Sequence, residues 1–182
     1  MNLYNISKIR RYLTTDQCKS VVHAYVTSKL DANNALLAGT TVELKSKLQR
    51  VQNAAAKLIT QNKKHDHVTP LLYNLHWLPV EDRIIFKILL LAYKSLNNEG
   101  PVYLKDLLSF YKPPLNLRSS DNSFTLNIPR TNLVTYGDRA FSVIASVEWN
   151  KLPLHITSSG SVKLFKSQLK THMFKFRYHD KS

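Results

Sequence analysis

The spacing of apolar residues after Val42 predicts a long amphipathic helix. The apolar positions follow one another at steps of four, three, four and three residues, and they are Leu44, Leu48, Val51, Ala55 and Leu58. Such steps place side chains on one face of an α-helix. Thr40 or Thr41 precedes the segment and is suited to cap it. We therefore expect a helix that buries this apolar seam.

A second segment, Val80 to Leu96, is apolar nearly all round. Only Arg83, Lys87 and Lys94 form a polar line along it. Pro79 stands directly before the segment, where proline fits the start of a helix. Since a helix without a broad polar face must be packed on several sides, we expect this one at the centre of the helical core.

Shorter helices are expected on either side of these two. Their starts are marked by residues that cap or open helices: Thr14 or Thr15, Thr69 with Pro70, Pro101, Asp138 and Ser161. Phe124, Leu126 and Ile128 alternate with polar residues, and Leu133 and Val134 follow a turn-like segment, which fits a short β-hairpin. The sequence thus predicts a mainly α fold, in which a helical bundle is followed by a short β-hairpin and C-terminal helices.

The chain is strongly basic. Its 182 residues include 26 Lys plus Arg against 12 Asp plus Glu, a formal net charge of +14. Such an excess favours a polyanionic partner, with nucleic acid ahead of an anionic membrane surface; the alternative is a soluble basic protein without one. The longest apolar run, Ile88 to Tyr93, is far shorter than the roughly 20 residues of a membrane span. No signal-peptide pattern follows Met1, so we expect an intracellular protein, nuclear or cytoplasmic.

The residues that carry enzyme chemistry are scattered. The eight Asp stand singly, whereas chemistry on two metal ions needs converging carboxylates. The four Gly lie at expected element boundaries and form no phosphate-binding loop. His65, Asp66 and His67 lack a further ligand at metal-site spacing, and Cys18 is the single cysteine. We therefore expect a chain that is not an enzyme, with no catalytic residue, metal or cofactor.

Several short segments occur in an order that resembles a known family. They are Leu48 to Ala56, Asp66 to Pro70, Leu75 to Val80, Leu117 to Asp121, Pro129 to Thr131, Tyr136 to Ser142, Trp149 to Pro153 and Phe165 to Lys170. Their order resembles the region after the polymerase core in reverse transcriptases of non-LTR (LINE-type) retrotransposons, in the jockey-like and chicken-repeat-like groups. Ala32 and Asn33 depart from the pattern, because relatives often carry Tyr-Cys there.

The resemblance implies a function and a domain organisation. In such reverse transcriptases the region after the catalytic palm forms a helical thumb, which holds the primer–template duplex. For this chain it implies a helical thumb-like domain over residues 1–110. The polar, proline-containing composition after Tyr111 predicts a linker over 111–123, which is followed by a small α+β region over 124–182. The resemblance also implies a fragment of an RNA-directed DNA polymerase, with RNA or an RNA/DNA duplex as ligand and the missing palm domain as partner.

Basic side chains mark the expected nucleic-acid contacts. Lys47, Arg50 and Lys57 recur at helical spacing on the helix after Thr41, with Lys45 beside them. The remaining candidates are Arg10, Arg11, Lys63, Lys64, Lys163, Lys166 and Lys170. Contacts of Lys and Arg with phosphates are independent of base sequence and weaken with salt. The alternative is that these residues form solvated helix faces.

Trp77 and Trp149 each lie shortly before a Leu-Pro pair at an expected helix boundary. A large ring in such a place commonly fills the core, so we expect packing rather than base stacking.

For the whole chain, the alternative function is a non-catalytic protein-interaction module, or the product of a decayed gene, without a nucleic-acid role. An interaction module predicts exposed apolar patches on the early helices and scattered charge.

Overall fold

The fold is mainly helical, as the sequence predicts. The computed structural model describes residues 3–63, 65–111, 124–131 and 137–179, and within these ranges it contains helices and one isolated β-bridge but no sheet. The α-helices are α1 (Leu3–Ile9), α2 (Thr15–Val22), α3 (Ser28–Asp31), α4 (Val42–Thr60), α5 (Thr69–Asn74), α6 (Val80–Leu96), α7 (Val102–Lys105), α8 (Phe141–Asn150), α9 (Leu154–Thr157) and α10 (Val162–Tyr178). A 3₁₀ turn, Arg10–Tyr12, follows α1, and a π-helical stretch, His23–Thr27, joins α2 to α3.

Three of the predicted helix caps, Thr14, Thr41 and Ser161, are confirmed by their hydrogen bonds, whereas the capping position of α5 is Val68 and not the predicted Thr69. Thr14 caps α2 through a reciprocal pair of bonds with Gln17, a capping box. Ser161 Oγ accepts a bond from the amide of the first turn of α10 at 3.2 Å. Asp138 was predicted to cap α8, but the capping position is Ala140. The Asp138 carboxylate instead accepts a hydrogen bond from the hydroxyl of Thr131 at 2.7 Å.

The chain divides into two compact units. The first unit contains Met1–Ile84 together with Phe176–Ser182, and the second contains Ile85–Lys175. The first unit is therefore discontinuous in sequence, since the end of α10 belongs to it. The domain boundaries predicted from the sequence, at residues 110 and 124, stay a prediction.

The first unit has an apolar core built mainly from α1, α2 and α4. Its buried members are Ile6, Cys18, Val22, Val26, Ala55 and Ile59. A second cluster joins Ala56 of α4 to Leu71 and Leu72 of α5. Trp77 is half-buried and packs against both clusters. Its ring is therefore part of the core packing, as expected.

The buried face of α4 differs from the predicted seam. The buried residues are Gln52, Ala55, Ala56 and Ile59, and their centre lies about 70° round the helix from the centre of the seam. Leu44 and Val51, two members of the seam, are each 39% exposed. The predicted seam is therefore only partly buried, because apolar spacing alone does not reveal that a glutamine amide finds its partners inside the protein.

Helix α6 is packed on several sides, as predicted. It has the predicted bounds, and every residue except Glu81 is at least partly buried. Its buried apolar residues are Val80, Ile84, Ile88, Leu89, Ala92 and Tyr93. Within the described ranges, no helix combines the length and the apolar content that crossing a membrane requires.

The second unit contains a stack of aromatic rings. Phe165 lies against Tyr93, with ring centres 4.1 Å apart, and against Trp149 at 5.9 Å. Trp149 is buried, and its indole N–H donates to the carbonyl oxygen of Phe124 at 2.7 Å. Trp149 is therefore a core residue, as expected, and its one polar atom has a partner inside the protein.

Leu126, in the segment predicted to form a hairpin, pairs with a different part of the chain. It forms an isolated antiparallel bridge with Phe110. The backbone of Leu126 is also bound by the side chain of Asn150. Oδ1 of Asn150 accepts a hydrogen bond from the Leu126 amide at 2.8 Å, and Nδ2 of Asn150 donates to the Leu126 carbonyl at 2.9 Å. The expected second strand, at Leu133 and Val134, lies outside the described residues, so the described part of the chain contains no hairpin.

Candidate nucleic-acid interface

One exposed face of α4 gathers three of the predicted cations. Lys47 and Arg50 are exposed and Lys57 is half-buried. At 100° per residue their side chains fall within roughly 80° of one another, on the side of the helix opposite to the buried Gln52 and Ile59. We refer to Lys47, Arg50 and Lys57 as the α4 basic stripe.

The α4 basic stripe begins next to an acidic residue. Glu43 lies one turn before Lys47, and their charged groups are 2.7 Å apart. Both side chains are more than half exposed, so the pair contributes about 0.3–0.5 kcal/mol at most and competes weakly with a phosphate for the lysine.

Lys45 lies on the other side of α4 from the stripe. Its side chain is half-buried, and Nζ is 3.5 Å from Oε1 of Glu81. It lines a cleft of about 410 Å³ together with Gln49, Arg177 and Tyr178. The structure therefore does not bring Lys45 together with the α4 basic stripe.

Arg10 and Arg11 are adjacent in sequence but have opposite environments. Arg10 is 9% exposed, and its guanidinium donates to the carbonyls of Leu58 at 3.0 Å, Ile59 at 2.9 Å and Leu13 at 2.7 Å. The first two carbonyls belong to the last turn of α4, where a cation satisfies free acceptors and interacts favourably with the helix dipole. Arg10 is thus engaged inside the first unit, whereas Arg11 is exposed.

The other predicted cations are not part of α4. Lys63 is exposed and follows the end of α4, and Lys64 lies outside the described residues. Lys163, Lys166 and Lys170 are exposed on α10 and belong to the second unit. Their spacing of three and four residues places them side by side on that helix. They form a basic face of α10.

An amide network on α4 was not anticipated from the sequence. Gln52 is fully buried, and its Nε2 donates to the carbonyl of Leu78 at 2.8 Å. Gln49 Nε2 donates to Gln52 Oε1 at 3.0 Å and to Asn53 Oδ1 at 2.7 Å. Gln49 Oε1 accepts from the Val80 amide at 2.8 Å. Three amide side chains at positions i, i+3 and i+4 of one helix are the sequence signal that marks this network.

The end of α10 contacts the first turn of α6 within the first unit. Arg177 forms a two-bond ion pair with Asp82, with distances of 2.6 and 2.7 Å. The hydroxyl of Tyr178 donates to the carbonyl of Trp77 at 2.7 Å. Burial raises the pKa of Tyr178 to about 12; the charge of Asp82 adds to the rise, and Arg177 opposes it. The hydrogen bonds that Arg177 donates to the Asp82 carboxylate raise the pKa of the Arg177 guanidinium.

The possible metal ligands at His65, Asp66 and His67 do not form a cluster with other such residues. In the described part of the chain, no group of three or more His, Cys, Asp and Glu side chains could hold a metal ion. Asp66 accepts hydrogen bonds from the Lys63 amide at 2.8 Å and from the Asn62 side chain at 3.1 Å. These bonds close the turn after α4.

The family resemblance rests on the order of short sequence segments such as Leu48 to Ala56 and Leu75 to Val80. In comparisons with known proteins, the chain matches no protein-family model, no curated protein and no solved structure. The resemblance therefore stays a prediction.

Proposed function

We propose that this chain is a nucleic-acid-binding module that holds the phosphate backbone of duplex RNA or of an RNA/DNA duplex without recognising base sequence. The observation that carries the proposal is the α4 basic stripe, a row of cations along one helix face in a chain of net charge +14. A phosphate backbone is a regular row of negative charges, so successive cations neutralise successive phosphates.

The length and the support of the stripe fit this role. From Lys47 to Lys57 the helix rises about 15 Å, so the stripe is long enough to contact more than one phosphate of the same strand. Helix α4 is also fixed on its buried side. Arg10 binds the carbonyls of its last turn, and Gln52 binds the carbonyl of Leu78. Cations on a rigid helix lose little backbone freedom on binding.

The sequence resemblance extends the proposal to a biological setting. In that setting, the chain is part of a non-LTR retrotransposon reverse transcriptase and grips the duplex, while the carboxylates for nucleotide transfer come from the palm. The chain is a binding component in this proposal, not a catalyst.

The proposal is tested by a salt series of binding to a short, blunt, labelled RNA duplex, followed by fluorescence anisotropy. A variant with Lys47→Ala, Arg50→Ala and Lys57→Ala is compared with a control that removes Lys29, Lys105 and Lys151, which are exposed elsewhere. Both variants lose the same charge. Affinity decreases with salt, and the plot of log affinity against log salt should be less steep in the stripe variant, with a slope smaller in magnitude by up to about 2.7.

The control variant should keep most of the native affinity and slope. The proposal fails if the native chain does not bind the duplex at low ionic strength. It also fails if the control loses as much affinity as the stripe variant, because the binding would then depend on net charge and not on the stripe.

A second candidate, a protein-interaction module, is favoured by one part of the second unit. Five large apolar residues are exposed by 42–75% within ten positions, and they are Val102, Tyr103, Leu107, Phe110 and Tyr111. A concentration of exposed apolar side chains marks many protein contact surfaces. If the chain self-associates through this segment, light scattering will show a mass that rises with concentration, and a Val102→Ser, Tyr103→Ser variant will remain monomeric.

A further inference from the structure

We infer that the segment from Tyr4 to Tyr12 carries a second nucleic-acid site, which takes unpaired nucleotides. In this site Tyr4 and Tyr12 stack on bases, while Lys8 and Arg11 bind the adjoining phosphates. The inference rests on the proposed function for the class of partner, and it goes beyond that function by assigning a ligand, single-stranded nucleic acid, to a different surface.

The two tyrosine rings are exposed and each has a cation of its own. Tyr4 is 65% exposed and Tyr12 is 73% exposed. Nζ of Lys8 lies 4.5 Å from the centre of the Tyr4 ring, and the guanidinium of Arg11 lies 4.8 Å from the centre of the Tyr12 ring. Cation–π contacts at such distances are favourable at exposed sites. Each ring is therefore steadied beside a positive charge while most of its surface remains open to solvent.

The four side chains follow one another along the segment. Lys8 lies one helical turn after Tyr4, and Arg11 lies three residues after Lys8, so that consecutive members are neighbours on the surface. Tyr12 directly follows Arg11 in the sequence, and its ring is contacted by the Arg11 guanidinium. The rise from Tyr4 to Tyr12 is about 13 Å, close to the length of four stacked nucleotides.

The other side of this segment is anchored in the first unit. Ile6 is fully buried in the core, and Arg10 is bound to the carbonyls of α4. Within the described part of the chain, neither Lys8 nor Arg11 forms an ion pair with a carboxylate. The backbone thus presents two rings and two cations from a fixed position, which is the arrangement that a preformed site requires.

The chemistry of the four residues favours nucleic acid over an acidic protein. An acidic protein surface needs the cations alone, and it gains little from two separate exposed rings. Each nucleotide, by contrast, offers a flat base and a charged phosphate. Proteins that bind single strands combine aromatic stacking platforms with basic side chains in this way.

The test measures anisotropy with a labelled oligouridylate and with the blunt RNA duplex. A Tyr4→Leu, Tyr12→Leu variant keeps apolar bulk but removes the aromatic planes, and a Tyr4→Phe, Tyr12→Phe variant keeps the planes. The leucine variant should bind oligouridylate more weakly by at least about fivefold per ring. The phenylalanine variant should bind like the native chain, and duplex binding should not change in either.

Two further variants sharpen the result. Tyr103→Leu removes a ring that is 67% exposed in the second unit, and it should leave oligouridylate binding unchanged. A Lys8→Ala, Arg11→Ala variant should lower the salt slope for oligouridylate by about 1.4, because each phosphate contact on a single strand contributes about 0.7. The tyrosine variants should leave this slope unchanged.

The outcomes separate this inference from the proposed function. The inference is overturned if the Tyr4→Leu, Tyr12→Leu variant binds oligouridylate as tightly as the native chain. It is also overturned if Tyr103→Leu weakens oligouridylate binding as much as the Tyr4→Leu, Tyr12→Leu variant does. It is also overturned, with the proposed function intact, if the native chain binds the duplex but not the single strand. Tyrosine-dependent binding of the single strand without duplex binding supports the inference and overturns the proposed function. Absence of both kinds of binding overturns both.

Discussion

Gln49 of α4 caps α6 from outside that helix, because its Oε1 accepts a hydrogen bond at 2.8 Å from the amide of Val80, the first residue of α6. The first N–H groups of a helix have no partner within it, so they need one elsewhere. The amide network therefore joins two of the segments on which the family resemblance rests, Leu48 to Ala56 and Leu75 to Val80. The network gives a physical reason for Gln49, Gln52 and Asn53 in the first segment, and in the second segment it binds the backbone of Leu78 and Val80.

Replacing Gln52 tests this network. Gln52→Leu should lower the free energy of unfolding by about 1–3 kcal/mol, because the buried carbonyl of Leu78 loses its donor. Urea denaturation followed by circular dichroism measures the change. Ala54→Leu adds an apolar side chain at an exposed position of the same helix and should stay within about 0.5 kcal/mol of the native chain. Native stability in Gln52→Leu would show that the network contributes nothing.

Arg10 and Arg11 form a matched pair of variants. Arg10→Met removes the donor of three carbonyls and should cost about 2–4 kcal/mol of unfolding free energy. Arg11→Met removes the same charge at an exposed position and should change stability by less than about 0.5 kcal/mol. Thermal and urea unfolding compare the two. Equal stabilities would contradict the interior role of Arg10.

The ion pair between Asp82 and Arg177 should be stronger than the pair on the surface of α4. Its side chains are only 15% and 29% exposed, so solvent screens the pair weakly. A double-mutant cycle with Asp82→Asn and Arg177→Met should give a coupling free energy of about 1–2 kcal/mol. The same cycle at the exposed pair of Glu43 and Lys47 should give about 0.3–0.5 kcal/mol. The interpretation is wrong if the two couplings are equal.

Tyr178 should make stability fall in alkaline solution. Its pKa is about 12 in the folded chain and about 10 when unfolded, so between these values the unfolded state loses the proton first. The protonated hydroxyl of Tyr178 therefore makes its full contribution to the free energy of unfolding below about pH 10, and this contribution is lost as the pH rises towards 12. The side chain is half-buried, so solvent screening limits the loss to about 1 kcal/mol.

Comparison with Tyr178→Phe isolates this effect. At neutral pH the variant should be less stable by about 1 kcal/mol, since the hydrogen bond to the Trp77 carbonyl is lost. The difference between the two chains, measured by urea denaturation, should shrink between about pH 10 and 12. A constant difference across that range would mean that Tyr178 does not titrate as described.

The features that the sequence predicted correctly depend on local signals. Pro79 and the apolar run after it mark α6, and Thr14 and Ser161 act on amides within three residues of themselves. Arg10 differs, because its acceptors on α4 are 48 and 49 positions away. No local pattern distinguishes it from Arg11. A charged residue adjacent to another therefore cannot be assigned to the surface from the sequence.

Part of the candidate site could likewise be predicted from the sequence. The helical spacing of Lys47, Arg50 and Lys57 placed them on one face, because that spacing is a property of the helix alone. The rotation of α4 was not predictable, since it depends on the partner that Gln52 finds at Leu78. Similarly, the pairing of Leu126 with Phe110 required knowledge of which backbone lies beside it.

The contact between Asp82 and Arg177 joins positions that are 95 residues apart. A ribosome makes the chain from its N-terminus, so the helices that precede Asp82 are synthesised long before their last partner emerges. Closing so long a loop also costs conformational entropy, which the favourable energy of the contact offsets only once the contact has formed. The first unit is therefore expected to complete its folding late, after the second unit has been synthesised.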